Sequence, residues 1–165
     1  MKSDSGLEAG VRNALQCLPG GIFLVTARHE DRRAGLLTSW VQQCCGRPPM
    51  LSIAVPKGAA IMPLISESAA FAACHLDADD RIIHRKFRGE LGLNDDPFLG
   101  FELLRHTLTH SPVIASAAAF FECTVTCHMD VDGDHDVFVG RVVNGRMLNG
   151  RPAVRIPEIG VPLGS

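Results

Sequence analysis

Thr38 and Ser39 are adjacent hydroxyl residues in the middle of an otherwise apolar run, Gly35-Leu36-Leu37-Thr38-Ser39-Trp40. A buried hydroxyl without a partner is costly, so this pair needs a purpose. Either the hydroxyls bond the backbone of a neighbouring strand, or they and nearby amides face a polar heteroaromatic ring or a phosphate. A strand edge offering N–H groups and small hydroxyls suits a flat ligand with alternating donors and acceptors.

Other chemistries lack their residues. No G-x-G-x-x-G follows a strand and no P-loop occurs. Neither Ser39 nor Ser111 stands in a nucleophile elbow. Asp130-x-Asp132-Gly133-Asp134 has its glycine too early for a calcium loop and no closing glutamate, and reads as a solvated acidic hairpin. Cys123-x3-Cys127-His128 is a poor metal half-site: on a regular strand the two cysteines share one face and His128 takes the other. No metal site is expected.

The elements that position these residues follow from periodicity. Leu7, Val11, Ala14, Leu15 and Leu18 have helical spacing, and Pro19-Gly20-Gly21 stops the helix. Ile22–Ala27 reads as a strand, His29–Arg33 as a charged turn, and Ala34–Cys45 as a second strand. Met50–Val55 is a third. A short helix begins at Pro63, Ala69–Leu76 is a strand, and Asp79-Asp80 starts a helix over Arg81–Phe87. Gly89–Ser111, broken by glycines and Pro97, predicts loops with short helical turns. Phe120–Cys127 and His135–Val143 form a hairpin around Asp130–Asp134, with further turns at Asn144-Gly145 and Asn149-Gly150. Many strands and few, short helices predict a mainly β protein, an antiparallel barrel, as one domain over residues 1–165.

Composition narrows the class further. A length of 165 residues, with 46% hydrophobic and 21% charged, supports one self-sufficient core. A formal net charge of -2 exerts no general pull on nucleic acid or anionic membrane, so any anion site must be local. The N-terminus lacks a signal-peptide pattern and no apolar stretch could span a bilayer, which places the protein in the cytoplasm by default. Its six cysteines sit in apolar runs and read as buried thiols of a reducing compartment.

Several segments, in order, resemble the flavin reductase-like family. They are Gly20-Gly21-Ile22-Phe23-Leu24-Val25-Thr26, Gly35–Val41, Arg47-Pro48-Pro49, Ile53–Lys57, Leu64-Ile65-x-x-Ser68-x-x-Phe71, Ser111–Ile114, Glu122-Cys123-x-Val125 and Gly133-Asp134-His135-x-x-Phe138-Val139-Gly140-x-Val142. The resemblance covers roughly Leu15 to Arg155. It implies an FMN-binding split barrel, a Greek-key antiparallel barrel that pairs as a homodimer with the flavin near the interface. Leu37, Thr38, Ser39 and Trp40 would run beside FMN, with FAD or riboflavin as alternatives. Lys57 and Gly58 would approach the phosphate, and His135 would lie near the nicotinamide and the flavin ring. Two departures bear on the cofactor. Cys74 stands where the family often has Asn, and Gly58-Ala59-Ala60-Ile61 replaces the usual phosphate donors. Amides of Gly58 and Ala59, or Arg85, Lys86 and Arg88, are the substitutes, and Phe87 beside them joins the cofactor-binding set.

Two functions follow from the resemblance. One is an NAD(P)H-dependent flavin reductase, with NAD(P)H as co-substrate, that supplies reduced flavin to an oxygenase partner or another acceptor. The other is a non-catalytic FMN-binding protein for electron transfer or flavin storage. His135 has an alternative as well, as a hairpin histidine bonded to Asp134 or Asp136.

Overall fold

A computed structural model describes residues 4–88, 96–148, 151–152 and 154–155. The chain opens with helix α1 (Asp4–Gln16) and then runs β1 (Gly20–Gly21), β2 (Phe23–His29), β3 (Arg32–Thr38), β4 (Val41–Gly46) and β5 (Pro49–Pro56). Helix α2 (Ile61–Ser68), β6 (Ala70–His75) and α3 (Arg81–Arg88) follow, and β7 (Ala119–Asp130), β8 (His135–Met147) and β9 (Val154–Arg155) complete it. Seven strands form one sheet in the order β3-β2-β6-β7-β8-β5-β4, and every pairing in it is antiparallel. The mainly β architecture is the one the sequence predicts.

The unbroken apolar runs of β2 and β6 have a simple cause. Both strands are covered on both faces, as continuous apolar strands require. Val25, Ala27 and Ala73 face a core of Leu51, Ile53, Val55, Ile65, Phe71 and Phe138. Their neighbours Leu24, Ala72 and Cys74 face a second core with Ile83, Phe98, Val113, Ile114 and Phe120. The second core is closed by α3 and the irregular segment 96–118. Thr26 Oγ1 donates to Pro112 C=O, and buried Glu122 accepts from the Thr109 N–H and hydroxyl and from Asn144 Nδ2, pinning that segment to the sheet. Asp80 caps α3 by accepting the Ile83 N–H at 3.1 Å, as the paired acids before Arg81 foretell.

Four local expectations change. The single strand over Ala34–Cys45 is two strands broken at Ser39-Trp40. Asn144-Gly145 is no turn but lies inside β8, beside an irregularity in the ladder at Glu122/Cys123. Gly145 is there for close approach, because a Cβ would stand 2.8 Å from the Phe120 carbonyl oxygen. A bulge between Val125 and Cys127 breaks the strict alternation of β7, so Cys123 is buried while Cys127 is exposed. The cysteines are accordingly mixed, with Cys17 and Cys44 also exposed. Residues 96–111 form turns without a helix; Gly89–Asp95 and the Asn149-Gly150 turn lie outside the described residues. Among the described residues no helix is long and apolar enough to cross a membrane.

Candidate functional site

The break after β3 builds the site. Thr38 Oγ1 accepts the Trp40 N–H at 3.0 Å, a local bond that ends the strand and turns the chain. The Trp40 carbonyl then accepts the Ala54 N–H at 3.1 Å, fixing the turn to β5. The indole is left 53% exposed on the surface. Its ring meets that of His135, with centroids 4.5 Å apart and planes at 54°. His135 is the first residue of β8, in register with Pro56 at the end of β5. Its Nδ1 lies 2.7 Å from Asp134 Oδ1, and this bond holds the Asp134 carboxyl below its ordinary value. Leu36, Leu37, Thr38, Ser39, Trp40, Pro56 and His135 together line a groove of about 360 Å³.

Sequence positions 37–40 and 135 are therefore brought together, and Lys57-Gly58 adjoins them through Pro56. Lys57 turns its ammonium to the β7–β8 hairpin, donating to Asp130 Oδ1 at 2.7 Å and to the Val131 carbonyl at 2.9 Å. The bond to Asp130 raises the Lys57 pKa. Gly58 has φ +84, a left-handed conformation that suits glycine, and the Ala59 N–H closes the turn onto Pro56 C=O at 3.0 Å. The remaining candidates do not line the groove. Cys74 is buried in the second core, where burial pushes its thiol up to about 12. Phe87 packs beside Gly35 and stacks obliquely on Phe98 and Phe101. Arg85 is exposed on α3, where it borders a shallow groove with Arg81, His84 and Arg88.

Sequence reasoning missed Pro56 and the Lys57–Asp130 pair, whereas it held Asp134 and Asp136 open as partners of His135, and the structure gives that histidine Asp134. Besides Asp134 and Asp130, Asp136 is buried, with Oδ2 at 2.7 Å from His128 Nε2, and the His128 ring stacks on Phe138 at 4.2 Å. The alternation of Asp130, Asp132, Asp134 and Asp136 was a visible signal of ordered roles, yet only the register reveals which partner each has. A second groove, of about 540 Å³, shares Ser39 and Trp40 and is largely apolar, with Leu15, Leu18, Val41 and Ile53 among its walls.

The groove fits a flat polar ring. Aromatic and aliphatic side chains supply its walls, Ser39 supplies a hydroxyl, and β3, as a sheet edge, presents alternate N–H and C=O groups outward. The family model of the flavin reductase like domain matches residues 15–156. The chain belongs to that family. A curated relative of the flavin reductase-like domain, diflavin flavoprotein A 1 of Synechocystis, is 28% identical over 163 residues, covering 97% of this chain. This chain spans 28% of that relative's length, and 51% of an Aeropyrum pernix protein 32% identical over 147 residues. Among solved structures, the NADH:FAD oxidoreductase SgcE6 of Streptomyces globisporus superposes with a TM-score of 0.77 at 23% identity, covering 89% of this chain and 85% of its own. The styrene monooxygenase flavin reductase of Pseudomonas putida S12 gives 0.76 at 20% identity, covering 90% and 93%. At those identities the likeness is one of fold, the split barrel that the sequence resemblance implies.

Proposed function

We propose that this chain is an NAD(P)H-dependent flavin reductase that binds its flavin in the groove between Leu36–Trp40 and His135. The observation that carries this reading is the Trp40–His135 pair just past the end of edge strand β3, with Thr38 its last residue and Ser39 in the turn that follows, in a chain of the flavin reductase-like domain family. When both nucleotides are bound, NAD(P)H gives a hydride to the flavin, which with one proton yields reduced flavin and NAD(P)+. The protein's part is positioning. Leu37 and Trp40 flank the ring, while Ser39 and the outward amides of β3 hydrogen-bond its polar edge. Asp134 occupies His135 Nδ1, so Nε2 is the ring nitrogen left to orient the nicotinamide.

FMN is the flavin we assign, with FAD and riboflavin as the alternatives, and the reduced product serves an oxygenase partner or another acceptor. A second copy of the chain completes the apolar groove next to the site. Val11, Leu15 and Leu18, each more than half exposed, supply a face that a symmetric partner can cover. The competing role, a flavin-holding electron-transfer module without pyridine-nucleotide activity, draws on the relatives called diflavin flavoproteins, of which the chain matches 24–28% of the length. Anaerobic mixing of protein, FMN and NADH or NADPH separates the two. Bleaching of the flavin at a rate that scales with protein supports the reductase. Bound flavin that stays oxidised with both nucleotides and bleaches only with dithionite supports the module.

A further inference from the structure

Lys57 directs both its amide and its ammonium to the β7–β8 hairpin. The amide donates to the Asp134 carbonyl at 2.9 Å, and the ammonium to Asp130 Oδ1 and Val131 C=O. The same ammonium stands 3.6 Å from Asp136 Oδ1, a buried oxygen with no hydrogen-bond partner of its own. These contacts span the hairpin from Asp130 to Asp136, and His135 lies inside that span. Without the lysine the hairpin would hold Asp130, Asp132, Asp134 and Asp136 within seven residues, with His128 beside Asp136 and His135 beside Asp134 as the groups able to offset them. Asp134 is also the group that fixes His135 Nδ1, so anything that splays the hairpin turns the imidazole away from Trp40.

We infer that Lys57 is a positioning residue for His135, stapling the β7–β8 hairpin to the end of β5, and not a ligand of the flavin phosphate. The inference rests on the reductase reading for its kinetic readout, and on Trp40 emission for a readout that needs no flavin. The chain contains one tryptophan and no tyrosine, so intrinsic emission reports the surroundings of Trp40, of which the His135 ring is part.

The test compares wild type with Lys57→Met, Lys57→Arg and Asp130→Asn, after thermal melts establish that each is folded. Lys57→Met should shift Trp40 emission in the flavin-free protein and slow anaerobic flavin reduction about two- to fivefold, the usual worth of an exposed ion pair. Dissociation constants for FMN and riboflavin should both stay within about twofold of wild type, a change too small to signal a lost charge-assisted bond. Asp130→Asn, at an exposed hairpin position, should reproduce the slower reduction and the emission shift, and Lys57→Arg should restore both. A phosphate ligand gives the opposite pattern. Lys57→Met would then weaken FMN about tenfold or more and spare riboflavin, while Asp130→Asn, by releasing the ammonium, would tighten FMN. That pattern overturns the inference, as does unchanged Trp40 emission in both Lys57→Met and Asp130→Asn. A wild-type protein that reduces no flavin sinks the reductase reading instead, and the emission comparison still decides the role of Lys57.

Discussion

Replacing Trp40 by alanine should weaken flavin binding by about 20- to 100-fold, a magnitude that follows from the exposed face of the indole. A fully covered tryptophan buries roughly 150–250 Å². Trp40 is 53% exposed, which leaves roughly 100 Å² for a ligand to cover. A flat ring covers about half of that, which at about 25 cal/mol per Å² gives about 1.3 kcal/mol. Offset ring stacking adds about 0.5–1.5 kcal/mol beyond area. The sum is about 2–3 kcal/mol, and each 1.4 kcal/mol is about tenfold in affinity. Titration of Trp40→Ala against FMN and FAD, followed by flavin fluorescence, measures the loss. In wild type the same titration should quench tryptophan emission saturably, since no other tryptophan contributes. Trp40→Phe, which keeps a ring, should fall between the two. If Trp40→Ala binds flavin within twofold of wild type, or if saturating flavin leaves Trp40 emission untouched, the flavin sits elsewhere and the groove assignment is wrong.

Three further outcomes test the frame around the site. Glu122→Gln turns one acceptor of the Thr109–Asn144 network into a donor facing donors, and should cost about 2–3 kcal/mol in urea unfolding, as lost hydrogen bonds to a buried charge do. Burial pushes the Glu122 carboxyl up, but bonds from Thr109, Asn144 and Leu108 outweigh it and hold it below its ordinary 4.5. Its contribution is therefore full above about pH 4.5 and is lost as pH falls through the lowered value, so Glu122→Gln should flatten the acid limb of the stability profile. Gly35→Ala would place a Cβ 2.6 Å from the Phe87 ring, and should lower stability by about 1–3 kcal/mol through displacement of α3. In the native protein, thiol reagents should modify Cys17, Cys44 and Cys127 and spare Cys74 and Cys123, whose thiols burial pushes up to about 12; fast labelling of Cys74 would refute its place in the second core.

What could be read from the sequence was whatever local pattern decides. The β2 run, the Asp80 cap of α3 and the acidic connection between β7 and β8 follow from composition, spacing and turn chemistry within a few residues. The hydroxyls of Thr38 and Ser39 stood out against the apolar strand around them, whereas His135 was singled out only by the family resemblance. Positions that depend on a distant partner were not legible. The Ser39-Trp40 break is stabilised by Ala54, fourteen residues beyond Trp40, and Gly145 is required by the approach of Phe120 on another strand. Lys57 illustrates the limit most sharply. The family resemblance implies a phosphate beside Lys57, yet its bonds go to residues more than seventy positions away.

Strand β5 is what joins the two halves of the groove. On one edge it pairs with β4, and its Ala54 amide holds the Trp40 carbonyl; on the other it pairs with β8, and Pro56 sits opposite His135. The backbones of the two ring-bearing residues, whose centroids stand 4.5 Å apart, are thus placed by two residues spaced two apart on one strand. A one-residue slip of β5 against β8 would turn Ile53 and Val55 out of the core, at a cost of several buried side chains. The same apolar alternation that fixes the core therefore fixes the backbone of His135 opposite Pro56, and the direction of its imidazole is left to the hairpin. Lys57 then has only the hairpin beyond Pro56 left to hold. That division of labour explains why the lysine's bonds are exposed and modest while the register beneath them is buried and strong.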